Sequence, residues 1–282
     1  MRFAVYDDHR LGLVRDGTVI DVSDLVGADR SEWPPVFLLR AIAGFDRLRP
    51  RLAEALRSRD GIPLDRVQLR APVVFPTKVI AAPVNYRLHL EEMRSVVSQP
   101  VHAIEKYSVF LKAPSSVVGP DATVELPFPD RRTDHEVELG VVIGRTARNV
   151  TAAEAMAYVF GYTGVIDITV RGDEDRSTRK SFDSFTPVGP VLVTADEIAD
   201  PHALKLQLWV NGQQRQDGNT RDMIWNVPKL IEYASHVMTL YPGDLFSTGT
   251  PDGVGPLKAG DEVTIEVERI GRMSVRVDLR KR

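Results

Sequence analysis

Short segments with strand patterns, separated by turn signals, occupy most of the chain after residue 77. The candidate strands are residues 78–82, 108–112, 135–143, 158–169, 190–194, 204–210, 244–248, 261–268 and 272–279. Asn211-Gly212, directly after the run LKLQLWV, predicts a hairpin turn. With the 19 prolines of the chain, these signals favour a β-rich, sandwich-like fold over alternating strand–helix–strand units.

The first 70 residues have a different pattern and predict a small α+β domain. The strand-like segments RFAVYD, LGLVRDG and TVIDV precede the helical segments PPVFLLRAIAG and FDRLRPRLAEALRSRDG. We therefore divide the chain into a small N-terminal domain, residues 1–70, and a larger domain, residues 71–282. The larger domain has few predicted helices, at residues 85–95, after the capping-box spacing Thr151–Glu154, and at residues 227–238.

The composition excludes several kinds of site. Without cysteine the chain can form no disulfide, thiolate zinc site or cysteine nucleophile, and it contains no HExxH, GxSxG or GxxxxGK motif. A net charge of −3 with interspersed signs gives no basic footprint for nucleic acid. No apolar run approaches the roughly 18–20 residues of a membrane span. We expect a cytoplasmic protein without nucleic-acid or membrane partners, in which any metal is oxygen-ligated, such as Mg²⁺ or Mn²⁺.

Two acidic residues stand at the start of an apolar segment, in RTDHEVELGVVIG at residues 132–144. Glu136 and Glu138 are two residues apart, so on a strand both carboxylates leave by the same face. Asp167 lies within another apolar run, VFGYTGVIDITVRG. A solvent-facing strand edge for the glutamates and a backbone-bonded Asp167 are one interpretation. The other is a hard divalent cation held by these three carboxylates.

Five segments occur in an order that resembles the fumarylacetoacetate hydrolase superfamily. They are DHEVELGVVIG, GYTGVIDIT, KSFDSFTPVGP, QDGNTRDMIW and PGDLFSTGTPDGVGPLKAGD, within residues 78–280. The resemblance implies a β-rich α+β protein with a mixed β-sandwich roll. It also implies a Mg²⁺ or Mn²⁺ bound by Glu136, Glu138 and Asp167, and a homodimer.

The segment NYRLHLEEM resembles the family's Asn-Tyr-x-x-His segment, a mobile lid in many members, and we expect residues 85–107 to form such a lid. His89 and Glu92 are three apart and can meet on a helix, so Glu92 would orient His89 as the base that activates water. Lys180, in RKSFDSF, resembles the family's active-site lysine, which would neutralise an enolate or a substrate carboxylate. A surface charge pair and a solvated loop lysine are the alternatives.

Substrate contacts are predicted from a further set of residues. Thr250, in STGTP, offers a hydroxyl where glycines let the backbone approach a ligand, although a plain tight turn is the alternative. The resemblance implies that Tyr86 and Arg171 also bind substrate. Gln216, in RQDGNT, fits a structural hairpin at least as well as a ligand contact and is not assigned to the site.

Four positions depart from the family pattern near the pocket. Val84 stands where many members have a polar residue, and Ile166 replaces the Asn that usually precedes the liganding Asp. Gly172 and Glu174 replace an acid and an amide. These changes lie where the pocket's polar contacts with substrate are expected, so they bear on substrate preference and leave the metal ligands unchanged.

The resemblance implies a Mg²⁺-dependent hydrolase that cleaves a carbon–carbon bond in a small β-diketo acid of the acylpyruvate or fumarylpyruvate type, through a metal-stabilised enolate. Mn²⁺ is expected to substitute, and a place in aromatic catabolism follows. The alternatives within the superfamily are an oxaloacetate-type decarboxylase and a 2-hydroxymuconate-type isomerase or hydratase. An alternative from another class is a non-catalytic protein that binds a metal and ketoacids.

Overall fold

Strands account for most of the regular structure in the computed structural model, which describes residues 1–27, 29, 31–96 and 100–281. The strands are β1 (Arg2–Tyr6), β2 (Arg10–Arg15), β3 (Thr18–Asp21), β4 (Ile62–Pro63), β5 (Leu69–Arg70), β6 (Val79–Ala81), β7 (Phe110–Lys112), β8 (Val117–Val118), β9 (Thr123–Leu126), β10 (Thr133–His135), β11 (Val137–Ile143), β12 (Val159–Ile166), β13 (Thr169–Val170), β14 (Thr186–Thr194), β15 (Lys205–Val210), β16 (Gln213–Asn219), β17 (Leu245–Ser247), β18 (Gly255–Leu257), β19 (Glu262–Val267) and β20 (Gly271–Leu279).

Helices are fewer. The α-helices are α1 (Phe37–Ala43), α2 (Phe45–Ser58), α3 (Arg87–Val96), α4 (Ile104–Tyr107), α5 (Arg176–Arg179) and α6 (Val227–Val237). Short 3₁₀ helices cover Ser23–Leu25, Leu64–Arg66, Pro114–Ser116, Ala155–Tyr158, Ala195–Glu197 and Thr220–Asp222. Within the part of the chain that the structure describes, no helix is long and apolar enough to cross a membrane.

A twelve-stranded sheet forms the centre of the molecule, in the order β4-β3-β2-β1-β14-β12-β11-β17-β6-β7, with β5 beside β1 and β8 beside β14. Its central strands β11 and β12 are antiparallel, with Leu139 opposite Gly164 and Val141 opposite Tyr162. Every residue of both strands is buried. The near-continuous apolar sequence of these strands therefore reflects a sheet that is covered on both faces.

Different elements cover the two faces of this sheet. A five-stranded sheet, β16-β15-β19-β20-β9, packs on one face, where Tyr162 shares a core with Ile265. Helices α1 and α2 pack on the other face, where Leu52 shares a core with Phe160 and Leu192. Each fully buried apolar side chain of this kind contributes about 1.5–3 kcal/mol. The β-rich α+β sandwich roll predicted from the sequence is confirmed.

The first 70 residues join the large sheet directly. Strand β1 pairs antiparallel with β14, placing Phe3 opposite Leu192, and helix α2 packs on the shared core. A domain boundary near residue 70 stays a prediction, and any such boundary is crossed by these hydrogen bonds.

The two segments that carry the predicted metal ligands are broken at the same point of the fold. The sequence predicts continuous strands over 135–143 and 158–169, but Glu136 lies between β10 and β11, and Asp167 lies between β12 and β13. At the break the backbone N–H of Asp167 donates to the carbonyl oxygen of Glu136 at 2.8 Å. Beyond it, β10 and β13 pair in a small sheet with β18. The breaks bring both carboxylates to the seam between two sheets.

The predicted Asn211-Gly212 turn is confirmed. Both residues have positive φ, 51° and 75°, and Val210 pairs with Gln213, so β15 and β16 are joined by a two-residue loop. In the predicted lid, the structure gives α3 and α4, whereas residues 97–99 lie outside the described residues. Movement of this segment stays a prediction.

Candidate metal and catalytic site

Three carboxylates meet at the seam. Glu136, Glu138 and Asp167 each place one oxygen within 4.8 Å of the others, and all three side chains are buried. The structure thus brings together the residues predicted as metal ligands, and it excludes the solvent-facing strand edge. Buried like charges at this separation require cations close by.

Two lysines supply part of that positive charge. Lys180 donates from Nζ to Glu136 Oε2 at 2.8 Å, to Asp167 Oδ2 at 2.6 Å and to the Thr169 hydroxyl at 2.6 Å. Lys112, which the sequence did not point to, donates to Asp167 Oδ1 at 2.5 Å and to the Phe185 carbonyl at 2.9 Å. An ammonium group has three N–H donors, so those of Lys180 are all used within the site.

Glu138 is hydrogen-bonded to no lysine within the part of the chain that the structure describes. Its Oε2 accepts hydrogen bonds from the Ser247 hydroxyl at 2.5 Å and from the Gly249 N–H at 2.8 Å. Burial, together with the charges of Asp167 and Glu136, raises the pKa of the Glu138 carboxyl to about 8. Burial also favours a higher pKa at Glu136, but the positive charges of Lys180 and Arg171 outweigh it and lower the pKa of Glu136 to about 2. Without a cation, Glu138 therefore holds a proton near neutral pH, because its surroundings compensate its negative charge poorly.

The donor set fits a hard divalent cation. All three candidate ligands offer carboxylate oxygens, which Mg²⁺ and Mn²⁺ prefer, whereas zinc sites usually contain sulfur or imidazole. A divalent cation bound by Glu136, Glu138 and Asp167 would stabilise the ionised form of Glu138, which burial and the neighbouring carboxylates disfavour.

The predicted acid–base pair is formed on helix α3. Nδ1 of His89 lies 3.0 Å from Glu92 Oε2, and His89 is buried, with only 4% of its surface exposed. Glu92 is itself held, because its Oε1 accepts a hydrogen bond from the Gly253 N–H at 3.0 Å. With Nδ1 bonded to Glu92, Nε2 is the ring nitrogen left for a water molecule or substrate.

Replacing Gly253 with Ala tests whether the loop at Gly253 holds Glu92 in place against His89. Gly253 has φ +91°, and a Cβ there would collide with the carbonyl oxygen of Arg215. We expect a loss of stability greater than the about 1–2 kcal/mol of a left-handed non-glycine residue. We also expect kcat to fall by about tenfold or more, because relief of the collision shifts the loop and moves the backbone N–H of residue 253 away from Glu92. Urea unfolding and steady-state kinetics measure both.

Gly260→Ala is the matched control. Gly260 has nearly the same φ, +90°, but no atom of the described residues lies within 4 Å of the position of a Cβ. Its substitution should lower the free energy of unfolding only by the about 1–2 kcal/mol of a left-handed non-glycine residue and leave kcat unchanged. Equal effects of the two substitutions on stability and rate would contradict the proposed role of the Gly253 loop.

Gln216 links the start of strand β11, which carries Glu138, to the loop that carries Thr250. Its Oε1 accepts from the Val137 N–H at 3.0 Å, and its Nε2 donates to Thr250 Oγ1 at 2.8 Å and to the Pro251 carbonyl at 2.9 Å. Thr250 is buried and lines the cavity beside the carboxylates. Gln216 is thus a positioning residue that the sequence reasoning left outside the site.

We predict that Gln216→Leu lowers the free energy of unfolding by about 1–3 kcal/mol, because the buried Val137 N–H loses its acceptor. The rate should fall as well, since the loop at Thr250 loses its link to β11. Gln214→Leu is the control, because Gln214 is exposed on the same strand. Chemical denaturation and kinetics of both variants check the prediction, and identical behaviour of the two variants would refute it.

The carboxylates form the floor of a cavity of about 350 Å³ that His89, Lys180, Thr250 and Arg171 also line. Arg171 donates to Asp134 Oδ2 at 2.6 Å and contacts Glu136 Oε1 at 3.3 Å. Tyr86 does not line this cavity: its side chain is buried, and its hydroxyl has no hydrogen-bond partner among the described residues. A substrate role for Tyr86 stays a prediction.

The departures from the family pattern have local explanations. Glu174 is exposed and forms a bidentate pair with Arg131, with both N···O distances 2.8 Å, rather than facing the cavity. A side chain at Gly172 would collide with that pair. Val84 lines the cavity with a φ of +48°, an unfavourable conformation for a β-branched residue. Ile166 is fully buried at the end of β12.

Comparison with known proteins identifies the family. Residues 78–278 match the model of the fumarylacetoacetate (FAA) hydrolase C-terminal domain. The chain belongs to the fumarylacetoacetate hydrolase family. The matched range contains the three carboxylates, the His89–Glu92 pair and Lys180.

Individual relatives extend the likeness to the whole chain. The maleylpyruvate hydrolase of Aquipseudomonas alcaligenes is 45% identical over 285 residues, which cover 98% of this chain and 99% of the relative. The crystal structure of maleylpyruvate hydrolase from Sphingobium sp. SYK-6, in complex with manganese(II) ion and pyruvate, is 42% identical, with a TM-score of 0.90 and coverage of 100% of both chains. Human mitochondrial oxaloacetate tautomerase FAHD2A is 41% identical over 224 residues, covering 74% of this chain and 69% of that protein.

Proposed function

We propose that this protein is a divalent-metal-dependent hydrolase that cleaves a carbon–carbon bond of an acylpyruvate. The observation that carries the proposal is the cavity itself, which is lined both by His89, oriented by Glu92, and by a buried three-carboxylate cluster. Similarity to two maleylpyruvate hydrolases over essentially the whole chain supports the same reaction class.

Glu136, Glu138 and Asp167 would hold the cation, which would supply Lewis-acid stabilisation of negative charge at the oxo-acid end of the substrate. The residues of the chain supply the acid–base chemistry. His89 accepts a proton from water at Nε2 while Glu92 holds its Nδ1–H. The water oxygen attacks the distal carbonyl, the carbon–carbon bond breaks, and its electron pair goes to the pyruvate half. Return of the proton from His89 Nε2 to that carbon releases pyruvate and a carboxylic acid and restores the neutral imidazole.

Lys180 has a more indirect role in this proposal than the sequence predicted. Because its three N–H groups are bonded to Glu136, Asp167 and Thr169, it has none left for the substrate in this arrangement. It positions two of the candidate metal ligands, and its charge favours negative charge developing beside them.

The direct test is hydrolysis. Purified protein with Mn²⁺ or Mg²⁺ is incubated with acetylpyruvate or maleylpyruvate, the loss of enol absorbance is followed, and pyruvate is identified as a product. Parallel assays with oxaloacetate measure decarboxylation and tautomerisation. Turnover of oxaloacetate with no cleavage of either acylpyruvate would overturn the proposal.

Three finer points belong to the same proposal. Mg²⁺ is the proposed cation and Mn²⁺ its substitute, because both accept octahedral oxygen ligands. A homodimer follows from the family resemblance, and light scattering of the purified protein tests it. A cytoplasmic location and a role in aromatic catabolism follow from the sequence and the resemblance in the same way.

A further inference from the structure

The rim of the cavity is richer in positive charge than the proposed reaction requires. Arg171, Arg176 and Arg179 all line it, on the segment between β13 and Lys180. Arg171 is neutralised by its contacts with Asp134 and Glu136. The other two arginines need a separate explanation.

Arg176 and Arg179 have few partners. The Arg176 guanidinium lies 3.8 Å from the centre of the Tyr107 ring, and Arg179 Nε donates to the Glu174 carbonyl at 2.7 Å. Among the residues that the structure describes, neither forms an ion pair with a carboxylate. Asp173 also lines the rim, but it is exposed and pairs with neither arginine.

The two guanidinium groups also repel each other. Burial, then the charges of Arg171 and Arg176, lower the pKa of Arg179. Both side chains are only half-exposed, so solvent screens this repulsion incompletely. Most of their N–H donors have no acceptor among the described residues, and a guanidinium fork matches a carboxylate in geometry and charge. An anion bound at the rim would reduce the repulsion between the two guanidinium groups and accept hydrogen bonds from their N–H donors.

We propose that Arg176 and Arg179 bind a second carboxylate of the substrate, at the end remote from the pyruvate half. This inference rests on the proposed function, because the carboxylate cluster at the floor sets which end of the substrate lies there. The substrate class is then an acylpyruvate whose acyl group ends in a carboxylate, rather than a neutral one such as acetylpyruvate.

A binding experiment tests this without requiring turnover. The Mn²⁺-loaded protein is titrated calorimetrically with 2-oxoadipate and with 2-oxohexanoate, which have the same chain length and differ in the terminal carboxylate. We expect the parent to bind 2-oxoadipate at least about tenfold more tightly, as charge-assisted bidentate hydrogen bonds require. The double variant Arg176→Gln/Arg179→Gln should bind the two ligands equally, with its affinity for 2-oxohexanoate unchanged.

Two further variants make the result specific. Arg272→Gln is the matched control, because its guanidinium also lies on an aromatic ring, 4.9 Å from the centre of Trp209, but does not line the cavity. It should keep the full preference. Arg179→Lys should keep part of it, since the charge remains while the fork is lost.

The outcomes separate this inference from the proposed function. A parent that binds both ligands equally, or a double variant that keeps its preference, overturns the role of the two arginines even if acylpyruvates are hydrolysed. If neither 2-oxoadipate nor 2-oxohexanoate binds to the Mn²⁺-loaded parent, the role of the two arginines is overturned as well. A preference that depends on the arginines supports it, even if the enzyme proves to rearrange rather than hydrolyse its substrate.

Discussion

Glu138→Gln is expected to abolish divalent-cation binding and hydrolysis while the protein remains folded. Among the described residues no lysine is hydrogen-bonded to Glu138, so its ionised form is needed for a cation rather than for the fold. The loss of Mn²⁺ affinity should exceed the about 10–100-fold that changes in outer-shell partners cause. The metal-free variant should be at least as stable as the parent, because glutamine never carries the charge that burial and its neighbours disfavour. Calorimetry with Mn²⁺, an activity assay and urea unfolding measure these effects.

Asp134→Asn provides the contrast. Asp134 is also fully buried near the site, but it pairs with Arg132 at 2.7 Å and with Arg171 at 2.6 Å. Its substitution should lower the free energy of unfolding by about 1–3 kcal/mol, because charge-assisted hydrogen bonds are lost. Full activity of Glu138→Gln, or unchanged Mn²⁺ affinity, would exclude the proposed metal site.

Much of the fold could be predicted because its signals are local. The hairpin at Asn211-Gly212 is encoded in two residues that tolerate positive φ. The apolar strands β11 and β12 are recognisable because burial on both faces removes the alternation of polar residues. The pairing of β1 with β14 was missed, because a hydrogen bond between residues about 190 positions apart leaves no local pattern.

In the candidate site, too, the features with local sequence signals were predicted and those that depend on distant segments were not. The spacing of Glu136 and Glu138 and that of His89 and Glu92 are local, and the structure brings both pairs together. The breaks at Glu136 and Asp167 were not predicted, since a strand leaves one sheet for another only in response to its neighbours.

Lys112 and Gln216 could not be assigned to the site from sequence. Lys112 is the last residue of the short strand β7, a common position for a surface lysine, and only the fold places its ammonium against Asp167. Gln216 lies on a strand with mostly exposed neighbours, and its buried contacts are with residues of β11 and the loop at Thr250. Both residues act through contacts between segments that are distant in sequence.

His89→Ala and Lys180→Met should separate hydrolysis from decarboxylation. Hydrolysis requires water to be deprotonated as it attacks, and loss of a positioned base costs about 10²–10⁴-fold. Decarboxylation of oxaloacetate involves no attack by water and depends on stabilising negative charge at the floor of the cavity. His89→Ala should therefore nearly abolish acylpyruvate cleavage and retain a measurable share of any oxaloacetate decarboxylation. Lys180→Met should depress both reactions, because Glu136 and Asp167 lose a shared donor.

The comparison must be made on kcat at saturating substrate and saturating Mn²⁺, since either substitution can also change binding. His102→Ala is the control for His89, because His102 lies in the same predicted lid but does not line the cavity. It should leave both reactions at the parent rate. If His89→Ala cleaves acylpyruvates as fast as the parent, water is activated by another group and the role of the His89–Glu92 pair is wrong. If Lys180→Met slows only hydrolysis, the lysine acts on the water rather than on the carboxylates it contacts.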